Sequence, residues 1–212
     1  LAEAIADKAN PLTARVIVNR VWQWHFGNPL VSSPGDFGLR AEPPTHPELL
    51  DWLASEFVER GWSFKELHRL ILASATWQQA SLRKDNYEQI DPENTLLWRQ
   101  NVQRLDFESI RDSLLVLGGE LDGTIGGRSV DLAEAEGARR RSVCGLVDRA
   151  NLPELYRVFD FANPDMSQAR RMNTTVAQQA LFLMNSPIAV NEARNIAQRP
   201  EMISEGSDEE KI

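Results

Sequence analysis

Cysteine is almost absent from this chain of 212 residues, and basic residues are too few to balance the acidic ones. The single cysteine, Cys144, excludes an internal disulfide, a paired-cysteine zinc site and a haem attachment motif within the chain. A net charge of −8 argues against nucleic-acid binding driven by phosphate contacts. No apolar run approaches the roughly 18 residues of a membrane span, so we predict no direct membrane insertion.

Motifs for common catalytic chemistries are missing as well. The glycine-rich stretch 118–141 contains neither a G-x-G-x-x-G pattern nor a P-loop lysine, which gives little support to a phosphate-binding loop. The chain has no known nucleophile motif and no tight spacing of metal ligands. We therefore predict no metal site and no cofactor in this chain, which should fold without a metal ion or a disulfide.

Helix start and stop signals are the strongest features that are present. Asn10 is a good N-cap in front of Pro11, and Gly27 can end the first helix in a left-handed conformation. Thr45 and Glu48 have the spacing of a capping box at the start of a second helix. Apolar residues at helical spacing, together with similar signals, predict further helices over 64–75, 104–117, 152–159, 175–184 and 187–198.

These patterns predict a mainly α fold, an irregular multi-helix domain with long loops. At most a small two- or three-stranded β element is expected near 128–148, with a strand over 142–147 that residues 128–132 could pair with. Composition suggests the domain organisation. We predict a lead-in segment over 1–9, a single helical domain over 10–199 and an acidic disordered tail over 200–212.

Two histidines and one loop carboxylate are the candidates for catalysis. His25 lies in the apolar stripe of the first helix, where it is either a core histidine bonded to a carbonyl or a ligand or general base. His46 lies at the positive end of the second helix, which favours its neutral form and suits a metal ligand, a base or an exposed cap. The loop over 28–44 should fold back and bring Asp36 or Arg40 close to His46.

A charged face accompanies the apolar stripe of the predicted helix over 104–117. Such a face is usually solvated and self-paired, but it becomes a polar network or a binding site if another segment covers it. We favour a closed ion-pair network, because the carboxylates nearly match the arginines in number. The face consists of Arg104, Glu108, Arg111 and Asp112, which fall within about 80° of one another. The other candidates for ligand or partner binding are Asn19, Arg20, Arg40 and Trp52.

Ordered blocks of sequence spread over about 10–198 resemble one known family. They include Asn-Pro-Leu-Thr-Ala-Arg at 10–15, Thr-His-Pro-Glu-Leu-Leu-Asp-Trp-Leu at 45–53 and Asn-Ser-Pro at 185–187. These blocks are similar to the domain of unknown function 1553, a planctomycete-specific domain. The resemblance implies the C-terminal module of a large, exported protein of the periplasm or cell envelope, although this segment contains no signal peptide. It also implies a preceding uncharacterised domain and often a cytochrome-c-like domain, to which any haem would belong.

Two classes of function fit these features. The first is an interaction platform that docks upstream domains of the same polypeptide, a cell-envelope protein or a glycan. The alternative is a catalytic domain that acts on a carbohydrate-type substrate with His46, Asp36 and the Arg104/Asp112 face. We favour the platform, because no catalytic motif is present. An enzyme would place a histidine within hydrogen-bond reach of a carboxylate inside a pocket, whereas a platform would show an uncovered apolar patch or a polar face without converging groups.

Overall fold

The computed structural model describes residues 1–132 and 139–203, and the chain divides into two compact units, Leu1–Gln103 and Arg104–Ile212. Regular structure within the described residues is helical and includes no sheet, which confirms the mainly α prediction. The single helical domain over 10–199 remains a prediction. The helices are α1 (Ala2–Ala6), α2 (Pro11–Phe26), α3 (Pro47–Glu59), α4 (Phe64–Leu72), α5 (Asp85–Ile90), α6 (Phe107–Gly118), α7 (Glu154–Val158), α8 (Ala177–Asn185), α9 (Pro187–Ala197) and α10 (Pro200–Ile203).

The first unit is built around α2, whose two ends follow the predicted signals. Asn10 Oδ1 accepts a hydrogen bond from the Leu12 N–H at 3.0 Å, and Pro11 is the first helical residue. Gly27 ends the helix with a φ of +82°, which glycine adopts without the steric cost of a Cβ. The buried face of α2 shares one apolar core with α3 and α4. Its members are Ala14, Val18, Val21, Trp22, Phe26, Leu30, Val31, Leu50, Leu53, Ala54, Phe57, Leu67 and Ile71.

The loop over 28–44 is held against α2 by a buried asparagine. Asn19 is fully buried, and its Oδ1 accepts a hydrogen bond from the Val31 N–H at 2.9 Å. Its Nδ2 donates to the carbonyl of the same Val31 at 3.2 Å. Both polar ends of the Asn19 side chain are therefore occupied by loop backbone that would otherwise be buried without partners.

The capping box predicted at the start of the second helix does not form. The helix α3 begins after His46, whose side chain makes no capping hydrogen bond. Thr45 instead ties the end of the preceding loop to its beginning. Its N–H donates to the Leu30 carbonyl at 2.8 Å, and its hydroxyl donates to the same oxygen at 3.3 Å. Thr45 thus bonds the distant Leu30 carbonyl instead of the nearby backbone N–H groups at the start of α3.

The long connector after α4 is fixed by a second buried asparagine. Asn94 is 1% exposed, and its Nδ2 donates to the Arg99 carbonyl at 2.8 Å and to Asn101 Oδ1 at 3.0 Å. Asn101 Nδ2 donates in turn to the Phe26 carbonyl at 2.9 Å. The connector thereby satisfies a carbonyl at the open C-terminal end of α2.

In the second unit, α6 packs against α9 at a glycine. A Cβ on Gly118 would overlap Oε2 of the buried Glu192, so a larger residue would displace that carboxylate from the contact between the two helices. Near the N-terminal end of α6, the rings of Phe107, Phe159 and Phe182 meet with centroids 4.8 to 5.7 Å apart. These contacts join α6, α8 and the C-terminal end of α7 in the apolar centre of the unit.

The strand predicted over 142–147 is wrong in its first half, where Ser142–Cys144 forms a 3-10 helix. The N–H and hydroxyl of Ser142 both donate to Asp112 Oδ1, at 2.8 and 2.7 Å, which turns the backbone away from a strand ladder. Only an isolated parallel bridge joins Val130 to Gly145 in the described part of this region. Residues 133–138 of the glycine-rich stretch lie outside the described residues, as do 204–212 of the predicted tail, whose first four residues form α10.

Replacing Asn19 by alanine should destabilise the first unit by about 1–3 kcal/mol, because the buried N–H and carbonyl of Val31 would lose their partners. Urea denaturation measures the change. The matched control is Arg20→Ala, a change at the neighbouring exposed position, which should alter the unfolding free energy by less than about 0.5 kcal/mol. Equal stabilities of the two variants would contradict the role assigned to Asn19.

Candidate functional site

The charged residues predicted along one helix face are found in networks that later segments of the second unit complete. Glu108 accepts two hydrogen bonds from Nη1 of Arg171, at 2.9 and 3.0 Å. Arg171 also donates through Nε to the Asp160 carbonyl at 2.7 Å, and its guanidinium lies over the ring of Phe161. The carboxylate of Glu108 is therefore paired with an arginine 63 positions later in the chain.

Arg104 precedes α6 and does not lie on it, because the side chain of Asp106 caps the helix. Its guanidinium instead reaches the segment that leads into α8. It donates to the Thr174 carbonyl in that segment, to Gln179 Oε1 on α8 and to Oδ2 of Asp160, which lies two positions after α7. Arg104 thus binds three separate groups of its own unit.

Asp160 connects these arginines to the loop that precedes α8. Its carboxylate accepts hydrogen bonds from the N–H and the hydroxyl of Thr174, at 2.8 and 2.7 Å, and from Arg104 at 3.2 Å. Burial by itself would raise the pKa of Asp160, but these hydrogen bonds outweigh burial and lower the pKa below its usual value. Asp160 also has a φ of +58°, which short polar side chains tolerate better than most.

Arg111 is 2% exposed and joins α6 to the segment that follows the glycine-rich stretch. Its Nη1 donates to the Arg140 carbonyl at 2.8 Å and to Ser142 Oγ at 3.2 Å. Asp112, beside it, accepts both hydrogen bonds from Ser142 that end the predicted strand. Burial lowers the pKa of Arg111, although the nearby Asp112 opposes that change. The four charged residues are therefore divided between two networks, Arg104 and Glu108 in one and Arg111 and Asp112 in the other.

Arg140 holds the glycine-rich stretch in the same manner. Its guanidinium donates to the carbonyls of Thr124 at 2.8 Å, of Arg128 at 3.1 Å and of Gly126. One side chain therefore binds three backbone groups of a stretch whose glycines would otherwise leave it free to move. The guanidinium thereby ties residues 124–128 to Arg140, two positions before Ser142.

An open cavity of about 880 Å³ lies in the second unit, between α6 and the segment over 141–147. We call it the α6 cavity. Three carboxylates of α6 and its cap lie along it, and the hydroxyls of Ser109, Ser113 and Ser142 add polar groups. Its carboxylates belong to Asp106, Glu108 and Asp112. Its exposed apolar wall consists of Val116, Leu117, Val143 and Val147.

Tyr156 lies at the closed side of the α6 cavity and is 2% exposed. Burial raises the pKa of its hydroxyl, which has no hydrogen-bond partner among the described residues. A Cβ on Gly145 would stand 2.8 Å from this hydroxyl oxygen and 2.7 Å from Leu132. Gly145 is therefore required by close packing, and it lets the 141–147 segment lie directly on Tyr156.

Two of the three catalytic candidates of the first unit, His46 and Asp36, form only local contacts. His46 is half-buried, and its Nδ1 lies 3.0 Å from Thr45 Oγ1. Asp36 is exposed and accepts a hydrogen bond from the Gly38 N–H at 2.8 Å. No hydrogen bond or ion pair joins His46 to Asp36 or Arg40 in the described part of the chain. Of the other predicted binding residues in this unit, Arg20, Arg40 and Trp52 are exposed.

His25 has a partner that neither sequence interpretation anticipated. Its Nε2 lies 2.8 Å from Nδ1 of His68, a residue of α4. The ring of Trp77 stands edge-on to His25, with the centroids 5.1 Å apart. Partial burial, followed by the nearby His68, lowers the pKa of His25. His68 borders the apolar face of its helix, and the sequence carries no signal that the two rings meet.

Residues 1–132 and 139–203 contain neither a larger cluster of metal ligands nor a membrane-spanning helix. No three histidine, cysteine, aspartate or glutamate side chains are grouped so as to hold a metal ion there. No helix of that part of the chain is long and apolar enough to cross a membrane.

Comparison with known proteins confirms the resemblance found in the sequence. A protein-family model named PSD1 and described as "Protein of unknown function (DUF1553)" matches residues 1–212. No curated protein and no solved structure matches the chain. The family match covers both units and assigns no activity to either.

Replacing Asp160 by asparagine should lower the melting temperature at neutral pH, because Arg104 and Thr174 would lose a charged acceptor. Asparagine tolerates the positive φ, so backbone strain is unchanged. The pKa of the folded carboxyl lies below its unfolded value, so the stabilisation is present above about pH 4 and is lost as the pH falls further. The difference between variant and wild type should therefore shrink on acidification.

Melting curves from pH 7 to pH 3 test this expectation. The control is Asp165→Asn, because Asp165 forms an exposed ion pair with Arg149 whose loss should have little effect. A pH-independent difference for Asp160→Asn would show that its carboxylate charge is not what stabilises the loop.

Proposed function

The chain belongs to the DUF1553 family, and from that premise we propose that its second unit is a docking module. The occupant of the α6 cavity is an uncharged, apolar protein segment. The observation that carries the proposal is the exposed apolar wall beside an open cavity of about 880 Å³.

The apolar wall supports docking because its side chains gain by leaving water. Val143 is 78% exposed, Val116 56% and Leu117 48%, and all three line the cavity. Burial of such surface contributes about 25 cal/mol per Å² before the cost of association is subtracted. Contiguous exposed apolar surface of this kind commonly marks an interaction site.

The charged groups along the cavity have partners within the unit, which favours an uncharged occupant. Asp106 accepts a hydrogen bond from the Ser109 N–H at 2.8 Å, and Arg141 Nε lies 3.9 Å from Asp112 Oδ2. Glu108 is already paired with Arg171, and Asp112 is already bonded by Ser142. Neither carboxylate therefore calls for a basic partner. A glycan would gain from exposed aromatic faces and open hydrogen-bonding groups, whereas the most exposed part of this wall is aliphatic. Protein is for that reason a better match than sugar.

The resemblance of the sequence to DUF1553 suggests where the segment comes from. That family places the domain at the C-terminal end of large exported proteins of the cell envelope, after another domain. We propose that the docked segment belongs to the preceding domain of the same polypeptide. The second unit would then hold the preceding domain in a fixed position at the cell envelope.

The catalytic alternative has no observation in its favour. His46 contacts Thr45, and Asp36 contacts its own turn, so no histidine–carboxylate pair is formed between them. Arg104 and Asp112 belong to separate networks of the second unit. Catalysis on a carbohydrate-type substrate remains a prediction from the sequence.

Placing a carboxylate on the apolar wall should weaken binding at least about tenfold, because the new charge would lose its water on docking. The variants are Val143→Glu and Val147→Glu, both at exposed positions. The probes are overlapping peptides that cover the preceding domain, with affinities measured by fluorescence anisotropy. Ile125→Glu is the matched control, because Ile125 is exposed in the same unit and does not line the cavity.

Equal binding by Val143→Glu, Val147→Glu and the control would place the docking surface elsewhere. A glycan array tested in parallel decides between the ligand classes. If no peptide binds, and a glycan binds to the wild type but not to either wall variant, then the ligand of the cavity is a sugar and not a protein.

A further inference from the structure

The helix α8 exposes apolar side chains and buries a polar one, which is the reverse of the usual pattern for a surface helix. Its inward side consists of the half-buried Phe182 and of Gln179, the buried residue among the nine that the structure describes there. The amide oxygen of Gln179 accepts a hydrogen bond from Arg104. On the outward side, Met184 is 72% exposed and Leu181 is 56% exposed. A polar contact therefore holds α8 in place, while much of its apolar surface remains in water.

The outward residues of α8 form one apolar stripe. Ala177, Leu181 and Met184 follow one another at intervals of four and three residues, the spacing at which the contact residues of paired helices repeat. Ala180 lies on the same side, next to Leu181, and all four residues are exposed. We call these four residues the α8 seam. An apolar stripe with this spacing is the kind of surface that another helix binds.

The segment that carries the α8 seam has no charged residue. Residues 172–191 contain no aspartate, glutamate, lysine, arginine or histidine, although the chain has a net charge of −8. Two copies of an acidic chain repel each other, and like charges brought together at an interface cost several kcal/mol. The α8 seam brings no carboxylate to a contact between two copies. Its charge pattern therefore favours a second copy of this chain as the occupant.

Side-chain sizes along the α8 seam fit a second copy in antiparallel orientation. A two-fold axis between positions 180 and 181 would place Met184 of one copy opposite Ala177 of the other, and Leu181 opposite Ala180. Each large side chain would then face a small one, which allows the two surfaces to interdigitate. A parallel pair would instead place Met184 against Met184 and would leave a gap between the two Ala177 residues.

We infer that the chain associates with a second copy of itself through the α8 seam, with the two α8 helices antiparallel about a two-fold axis. The contact is short, because α8 has nine residues and covers less than the roughly 800 Å² that each partner contributes to a standard interface. The dimer is therefore weak, with a dissociation constant in the micromolar range. This surface is separate from the α6 cavity, none of whose lining residues lies on α8.

Analytical ultracentrifugation of the chain at concentrations from about 1 to 300 µM, a range that spans the expected dissociation constant, tests the association. We expect a change from monomer to dimer as the concentration rises. Leu181→Glu should weaken the association at least tenfold, because the two new carboxylates would lie side by side at the axis. Ile125→Glu is the matched control. It adds the same charge at an exposed apolar position of the same unit outside α8, and it should associate as the wild type does.

Disulfide cross-linking in a Cys144→Ser background, which removes the single native thiol, tests the orientation. In the antiparallel pair, the two copies of position 181 are about 1.5 Å apart along the helix axis, whereas the two copies of position 184 are about 10 Å apart. A disulfide requires Cα atoms within about 7 Å of each other. On mild oxidation, Leu181→Cys should therefore form a covalent dimer and Met184→Cys alone should not. A mixture of Met184→Cys with Ala177→Cys should cross-link.

The inference fails if the chain sediments as a monomer at every concentration, or if Leu181→Glu associates as tightly as the wild type. The antiparallel arrangement fails if Met184→Cys alone cross-links as readily as Leu181→Cys, which is the result expected of a parallel pair. Circular dichroism and melting curves establish that each variant is folded. The measurements need only this chain, so their outcome does not depend on whether the α6 cavity binds the preceding domain.

Discussion

A buried guanidinium, that of Arg111, holds one wall of the α6 cavity in place. It fastens α6 to the segment over 139–142 through the Arg140 carbonyl and the hydroxyl of Ser142. Arginine stays charged even when burial lowers its pKa, so a loss of these acceptors would leave a desolvated charge at a cost of several kcal/mol. The wall that carries Val143 is therefore set by a polar contact beneath it.

Single polar side chains also hold the long loops of both units in place. Asn19 fixes the loop over 28–44, Asn94 fixes the connector after α4, and Asp160 fixes the loop before α8. In each case one side chain forms at least two hydrogen bonds with the loop that it fixes. Long loops without regular structure thereby obtain defined positions. For a docking surface this matters, because a wall that is already ordered does not need to be ordered on binding.

Local signals in the sequence predicted the helices well, because their physical causes lie within a few residues. Asn10 and Gly27 act on the helix between them, and both behave as expected. The capping box at Thr45 was wrong, because a carbonyl in the preceding loop competes for the same side chain. Arg104 was placed on a helix that begins only after Asp106. The charge balance around α6 indicated paired charges, but not that they would divide between two networks.

Contacts between distant residues could not be inferred from spacing. Glu108 and Arg171 are 63 positions apart, and no local pattern announces their pairing. His25 and His68 are 43 positions apart, and no motif in the sequence around either residue indicates that they meet. The α6 cavity was missed because Val143 and Val147 were assigned to a strand, in which alternate side chains would have been buried. The 3-10 turn at Ser142 exposes Val143 instead.

The central claim is that the α6 cavity docks a segment of the preceding domain. Hydrogen–deuterium exchange of the chain, measured with and without the separately produced preceding domain, tests it most directly. Docking should slow amide exchange in peptides that cover 113–121 and 141–147, while peptides of the first unit exchange as before. Unchanged exchange at the cavity, or protection confined to the first unit, would contradict the claim.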